Sequence, residues 1–460
     1  MRILITGATG LIGREVGKRL SAKGHELVVV SRNAERARRE LPFPARAFNW
    51  AGGAAPFPVN ALEGVEAVIN LAGDSIGELR WSEAKKLAIR DSRVLGTRSL
   101  VEALKQQPQP IRVLVQGSAI GFYGDRGDES LTEAAVGGHG FLADVVRDWE
   151  AEAEEITSLG VRLVKVRTGV VFARHGGAFQ RLAAIFSKGL GGRLASGRQW
   201  MSWLHLEDIV NALIFCLEKE TLCGAVNAVA PEPVRNERFT VALARAMDRP
   251  VFLPVPLPAL RLALGDAAEM VLSSNRAVPQ ALIDAGFEFA FPDLGSALTD
   301  LCEPLRKRQH EFITEQWVPL PPEAVFPFFS NEKNLEALTP AFLNFHVLDK
   351  STEELEPGTV INYRLTLHGV PLRWRSRIEN WSPGKSFVDI QECGPYEKWH
   401  HTHEFLPFAG GTLLRDRVLY RLPLGLVGDA VASWKVEREV AEIFAFRRKV
   451  IAERFGAQEA

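Results

Sequence analysis

The chain has 460 residues, enough for about three units of roughly 150 residues, each with a sizeable core. Lys and Arg number 55 against 56 Asp and Glu, so the formal net charge is −1 and the basic excess of a general nucleic-acid or anionic-membrane binder is absent. Hydrophobic residues make up 46%, but no stretch of about 20 is continuously apolar, and the four cysteines contain no C-x-x-C pair; neither a membrane span, a disulfide scaffold nor a cysteine zinc site is expected.

The opening Met1–Gly7 runs straight into a strand and a glycine turn, leaving no room for a signal peptide, so a reduced, cytoplasmic protein is expected. Short apolar runs follow at Arg2–Thr6, Glu26–Ser31, Ala67–Leu71, Val113–Gly117, Arg162–Arg167 and Ala225–Val229. Helix-period stretches such as Arg14–Ala22, Lys85–Leu104 and Phe141–Ser158 separate them. Strands alternating with helices imply a parallel sheet covered on both faces, which binds ligands at the carboxyl ends of its strands.

The first strand ends in Gly7-Ala8-Thr9-Gly10-Leu11-Ile12-Gly13. Gly7 permits a tight exit, Gly10 a close approach of backbone to a pyrophosphate, and Gly13 close packing of the helix on the sheet. The helix N-terminus then offers free N–H groups and partial positive charge to phosphates. The second strand ends in Ser31-Arg32-Asn33, without the acidic residue that holds the ribose of NAD. No carboxylate repels a 2′-phosphate there, and Arg32 offers it a fork of donors, so NADP(H) is the expected cofactor.

Residues 235–303 change character. Phe239–Met247 reads as a helix, Arg249–Pro258 is interrupted by prolines, and Ala259–Leu272 and Pro279–Ala285 read as further helices. This small helical extension is expected to cap the end of the sheet. A charged stretch, Glu303–His310, marks a boundary, giving units 1–234, 235–303 and 304–460. Beyond it the pattern is strand-rich and aromatic: His310–Val318, Val360–Leu367, Arg373–Trp381, Ser386–Glu392, Lys398–Pro407 and Thr412–Arg421, with Gly or Pro turns and a last helix over Leu426–Phe455.

With the glycine turn, Asn70-Leu71-Ala72-Gly73 and Ser118, residues 1–230 resemble the extended short-chain dehydrogenase/reductase superfamily. The segments Ile89–Arg93, Gly121–Gly124, Arg147–Glu150, Arg167–Val171 and Gln199–His205 narrow the resemblance to the NADP-dependent epimerase family, including its small helical C-terminal extension, over residues 1–302. The resemblance implies a nucleotide path past Gly7, Thr9, Gly10, Leu11, Ile12 and Gly13, then Ser31 and Arg32, then Leu71, Ala72, Gly73 and Arg93, and on to the strand end from Arg167 to Phe172. It also implies a Ser or Thr, a Tyr and a Lys four residues later as proton-transfer groups. Ser118 fits the first. The next helix instead reads Gly140-Phe141-Leu142-Ala143-Asp144-Val145-Val146, and neither a phenyl ring nor an alkyl chain moves a proton.

Tyr123, five residues after Ser118, is the candidate replacement, with Glu133 and Asp144 as lesser candidates. Arg147 and Asp148 are expected to form a charge pair, and His205 to open the helix carrying Asp208 and support the cleft floor. Residues 310–455 resemble the START-like, polyketide-cyclase-type domains, which implies a helix-grip fold with a cavity for an apolar ligand. Their carrying segments are Asn334–Pro340, Gly394–His403 and the last helix. Trp399, His401, His403 and Phe405 share one strand face with Tyr363, Trp374 and Trp381 nearby in the pattern. Two His at i, i+2 begin a metal-like pattern, but no third ligand is evident in the sequence, so no metal is expected.

The expected architecture is an α/β doubly wound Rossmann-type sheet with a helical cap, followed by an α+β helix-grip domain. Two functions follow: an NADP(H)-dependent oxidoreductase or epimerase acting on a small molecule that the second domain holds or delivers, or a non-catalytic NADP(H)-dependent sensor or scaffold lacking the Tyr/Lys dyad.

Overall fold

The apolar runs of the first half become a seven-stranded, wholly parallel sheet. Its strands are β1 (Arg2–Thr6), β2 (Glu26–Ser31), β3 (Arg46–Asn49), β4 (Ala67–Asn70), β5 (Val113–Ala119), β6 (Arg162–Thr168) and β7 (Gly224–Ala228). They lie in the order β7-β6-β5-β4-β1-β2-β3. The order reverses between β1 and β4, which is where a doubly wound sheet opens a crevice. The computed structural model describes residues 1–78, 80–251, 254–306, 309–367 and 369–456. Phe252 and Leu253 of the proline-rich segment, and Lys307 and Arg308 of the charged stretch, lie outside the described residues.

Four helices frame this sheet: α1 (Leu11–Ala22), α2 (Glu83–Lys105), α3 (Phe141–Glu154) and α4 (Leu206–Glu218). On one face Leu4, Val28, Val68, Leu114 and Leu163, one from each of five strands, pack with Leu100, Val101 and Leu104 of α2. Each such side chain taken wholly out of water stabilises the layer by about 1.5–3 kcal/mol. On the other side α1 packs beside α4, which lies against β4, β5 and β6. Near-continuous burial along β1, β2 and β4 is what a sheet covered on both faces demands.

The edge strand β3 escaped the sequence reading because it is only four residues long, with Arg46 and Asn49 polar and exposed at its ends. The expected helix Ala259–Leu272 is broken. It runs Leu257–Leu264, turns at Gly265 (φ +55°), and resumes as a 3₁₀ turn and the short helix Glu269–Leu272. A left-handed φ suits glycine, and the reversal redirects Glu269. A helix over Leu294–Arg306 was not expected.

The chain divides into two units, residues 1–34 with 45–303, and residues 35–44 with 304–460. The second holds an antiparallel sheet of β8 (His310–Val318), β9 (His346–Lys350), β10 (Val360–Leu367), β11 (Val370–Ser382), β12 (Ser386–Cys393), β13 (Lys398–Phe408) and β14 (Gly411–Arg421), and the long helix α5 (Gly425–Phe455). The strand order is β8-β14-β13-β12-β11-β10-β9. Register shifts in β11 between Arg375 and Ser376 and between Glu379 and Ser382 mark bulges, which bend a strand. One face of α5 supplies Val440, Phe444, Arg447 and Ile451, all buried, at helical spacing. Val418 and Tyr420 of β14 pack with Val440 and Phe444. The edge strand β9 was missed because its positions are half or fully exposed.

Candidate functional site

The glycine turn is dictated by close contacts of the main chain. Gly7 has φ +70°, and a Cβ there would lie 2.7 Å from the Leu71 carbonyl oxygen. A Cβ on Gly13 would run into the Gly7 carbonyl oxygen and lie 2.8 Å from the Ala8 Cα. The first bond of α1 runs from the Arg14 N–H to the Gly10 carbonyl, so the N–H groups of Leu11, Ile12 and Gly13 have no acceptor within the helix. Gly10 caps without a side chain, the first turn carries no acid, and Thr9 and Gly10 are exposed. The positive end of α1 is therefore not neutralised by its own sequence.

A buried polar row fixes the facing loop. The Thr6 hydroxyl donates to Asn70 Oδ1 (2.5 Å) and accepts from the N–H groups of Leu71 and Ala72, both at 3.0 Å. Asn70 Nδ2 donates to Thr97 (3.1 Å) and Gln116 (2.9 Å), and Trp149 Nε1 also donates to Thr97 (2.9 Å). Leu71, Ala72 and Gly73 are thus held at the strand end opposite the glycine turn.

Two guanidinium groups stand near this crevice and make no ion pair among the described residues. Arg32 follows half-buried Ser31 at the end of β2, is exposed, and makes no ion pair. The Ser31 oxygen accepts from the Asn33 N–H at 3.3 Å. Arg93 donates to the carbonyls of Asp74 and Ile89, each at 3.0 Å, and lies 5.4 Å from the Trp149 ring centre. Burial pushes its pKa down. It also flanks Gly73, where a Cβ would lie 3.0 Å from its Cζ.

At the end of β5 the Ser118 hydroxyl donates to Glu150 Oε1 at 2.6 Å. Glu150, on α3, receives a two-pronged contact from Arg167: Nε to Oε1 at 2.8 Å and Nη2 to Oε2 at 2.9 Å. Arg167 Nη1 donates to the Tyr123 hydroxyl at 3.0 Å, and that hydroxyl donates to Asn227 Oδ1 at 2.8 Å. The Arg167 guanidinium also lies 3.5 Å over the Phe122 ring. Ser118, Tyr123, Glu150 and Arg167 are all buried.

This geometry revises three expectations. Tyr123 is fully buried, spends its oxygen on Arg167 and Asn227, and is pushed up in pKa by burial, which is the wrong environment for passing a proton to a substrate. The Arg167 side chain is engaged by Glu150 and Tyr123 rather than offered to a nucleotide. Phe172 is sealed in an aromatic cluster, stacked 5.6 Å from Trp203, leaving only main chain at that strand end. Glu150 was missed as a site residue. The available signal was its place four residues beyond Val146, on the inward stripe of α3.

The dyad positions are apolar in space as in sequence. Val145 and Val146 are buried, and Phe141 packs edge-on to Trp81 at 5.6 Å. The carboxylate of Glu269, brought here by the break at Gly265, accepts from the Leu142 N–H, and burial raises its pKa. A Cβ on Gly140 would lie 2.8 Å from Glu269 Oε1. Glu133 is committed to the N–H groups of Asn227 (2.9 Å) and Ala281 (3.2 Å). Asp144 is exposed and pairs with Arg147 at 3.1 Å. Arg147 and Asp148 do not pair with each other, because Asp148 meets Arg90 at 3.1 Å. His205 caps α4 by accepting from the Glu207 N–H and faces Asp300 at 3.4 Å, while Asp208 takes the N–H groups of Ala290 and Phe291. These two residues clamp the extension.

In the second unit a cavity of about 380 Å³ is lined by Phe345, Tyr363, Trp374, Trp399 and Leu335, with Asp389, His401 and His403 in its wall. No helix among the described residues is long and apolar enough to cross a membrane.

Comparison with known proteins gives matches over the first unit. A family described as the NAD dependent epimerase/dehydratase family matches residues 3–228, and a domain of unknown function, DUF1731, matches residues 255–301. The epimerase family protein Mb2239 of Mycobacterium bovis is 40% identical over 297 residues, spanning 64% of this chain and 96% of that protein. A chloroplastic epimerase family protein of Arabidopsis thaliana, an SDR39U1 homologue, is 36% identical over 309 residues, 65% of this chain and 86% of the relative. Among solved structures, the human epimerase family protein SDR39U1 (isoform 2) with NADPH is 32% identical with a TM-score of 0.58, covering 66% of this chain and 99% of that one.

Proposed function

This chain belongs to the NAD dependent epimerase/dehydratase family, and we propose that it is an NADP(H)-dependent oxidoreductase or epimerase of a small molecule, with an apolar ligand held in its second unit. The observation that carries the cofactor reading is the pairing of an uncapped α1 terminus with an Arg32 that no described carboxylate neutralises. The residues fit a phosphorylated dinucleotide: Gly7 and Gly13 leave main chain where a Cβ would intrude, and Leu11, Ile12 and Gly13 offer N–H groups to the pyrophosphate. Leu71, Ala72, Gly73 and Arg93 would line its path. The solved human relative that carries NADPH supports the same choice. When bound, the nicotinamide supplies the hydride chemistry.

The residues of this chain supply the rest. Ser118, with its proton drawn to Glu150, presents an oxygen that accepts from a substrate hydroxyl. Arg167 grips both oxygens of Glu150, and Tyr123 meets Arg167 and Asn227. The Glu269 carboxylate accepts from the Leu142 N–H beside the missing tyrosine position, and its pKa, raised by burial, suits it to exchange a proton there. In the second unit the antiparallel sheet with its long C-terminal helix supports a START-like, helix-grip assignment, and a cavity of this size suits a small apolar ligand.

Fluorescence titration with NADPH and NADH tests the cofactor. Arg32→Ala should weaken NADPH by about tenfold to a hundredfold, the worth of a charge-assisted fork, and leave NADH within about twofold. Equal losses for both would overturn the assignment. Glu269→Gln should flatten the acid-side limb of the pH–rate profile without altering NADPH affinity. The apolar side chains at Phe141, Leu142, Val145 and Val146 favour a second reading, a non-catalytic NADP(H)-dependent sensor. Tight NADPH binding with no single-turnover oxidation by any carbonyl compound would select it.

A further inference from the structure

The strand β13 places His401 and His403 two residues apart on one face, with ring centres 3.8 Å apart. The register sets Asp389 of β12 opposite His401, and Asp416 of β14 opposite His403. One oxygen, Asp416 Oδ1, lies 3.1 Å from His401 Nε2 and 2.9 Å from His403 Nδ1. The other two ring nitrogens are His401 Nδ1 and His403 Nε2. Both face Asp389 Oδ2, at 3.2 Å and 3.0 Å. One ligand atom from each of the three residues lies within 4.8 Å of the others. Protons on the two ring nitrogens bond them to Asp389, and a metal ion entering the group would displace those protons.

Arg447 Nη2 lies 3.3 Å from Asp416 Oδ1 and 3.2 Å from His403 Nδ1, which ties the outer carboxylate to α5. We propose that Asp389, His401 and His403 form a binding site for a divalent first-row transition metal, with Asp416 as the outer carboxylate behind both rings. Two imidazoles and one carboxylate suit such ions, and a carboxylate behind each ring is the usual support. Bonds of about 2.0–2.2 Å put tetrahedral donors about 3.3–3.5 Å apart, so the present 3.0 and 3.2 Å separations need open by only a few tenths of an ångström. The remaining coordination positions open to the cavity, whose wall includes all three ligands. Phe387, stacked on His403 at 4.1 Å, keeps that ring from swinging.

The test uses the full chain, stripped with EDTA and titrated with Co²⁺ and then Zn²⁺. The expected result is one Co²⁺ per chain with visible d–d absorption, displaced by Zn²⁺, and an X-ray absorption signature of two imidazoles and oxygen without sulfur. Asp389→Asn and His403→Gln should each lower Co²⁺ affinity by at least about a hundredfold, and Asp416→Asn by about tenfold to a hundredfold, with far-ultraviolet circular dichroism unchanged. His346→Ala, at an exposed ring outside the cluster, should change nothing. Absence of Co²⁺ binding by the wild-type chain, thiolate ligation through exposed Cys223 or Cys393, or unaltered affinity in a folded Asp389→Asn chain would each overturn the proposal. The wild-type measurements stand even where a variant fails to fold.

Discussion

Removing one partner of the buried Arg167–Glu150 pair should cost far more than removing both. The two side chains are 5% and 7% exposed, and Arg167→Met would leave the Glu150 carboxylate buried with only the Ser118 hydroxyl to answer it. Breaking a buried ion pair in this way costs about 3–5 kcal/mol. For a unit of roughly 290 residues the unfolding entropy is about 0.6 kcal/mol/K, so Tm should fall by about 5–8 °C. The double variant Arg167→Met/Glu150→Leu removes the stranded charge. It forfeits the hydrogen bonds to Ser118 and Tyr123, about 0.5–1.5 kcal/mol each, so its Tm should lie only about 2–5 °C below wild type. Calorimetry on the wild type, both single variants and the double variant closes the cycle. If the double variant falls by the sum of the two singles, the charges are not coupled and the network argued for Ser118 has no energetic basis. The same Glu150 variant should also lose turnover while keeping its NADPH affinity, because Ser118 loses its orienting acceptor.

Other outcomes follow from the same geometry. Gly13→Ala forces a Cβ against the Gly7 carbonyl, where main chain must move; a loss of at least about tenfold in NADPH affinity and about 1–3 kcal/mol in stability is expected by titration and thermal melting. Burial opposes a charge on His310, yet Glu437 at 3.3 Å and Asp429 at 3.0 Å hold its pKa above the ordinary 6.5. Because the folded value is the higher one, this stabilisation is complete below pH 6.5 and is lost as pH rises through the folded value. The Tm gap between wild type and His310→Gln should therefore shrink on going from pH 6 to pH 9, and a gap independent of pH would refute the pairing. Leu365→Trp fills the cavity of the second unit and should abolish binding of a solvatochromic apolar dye while NADPH titration is unchanged; retained dye binding would place the ligand elsewhere.

Much of this molecule was legible one residue at a time. Strands β1 and β2 begin and end where the apolar runs do, because strands buried on both faces admit little but Val, Ile and Leu. The glycine turn and the missing acid after Ser31 are likewise local facts, since a left-handed φ or a Cβ clash acts within one turn of chain. The loss of the Tyr/Lys dyad was equally plain in residues 140–146.

What the sequence could not show is which distant side chains meet. Glu150 reaches Ser118 across 32 positions, and Glu269 arrives at Leu142 only because the chain breaks at Gly265. The pattern His-x-His placed two rings on one face, but Asp389 and Asp416 joined them through strand registers that depend on turn lengths and bulges. A period of two or of 3.6 determines which way a residue faces; only the closed sheet decides what stands opposite it, because register is settled by the burial of the whole face rather than by any one strand.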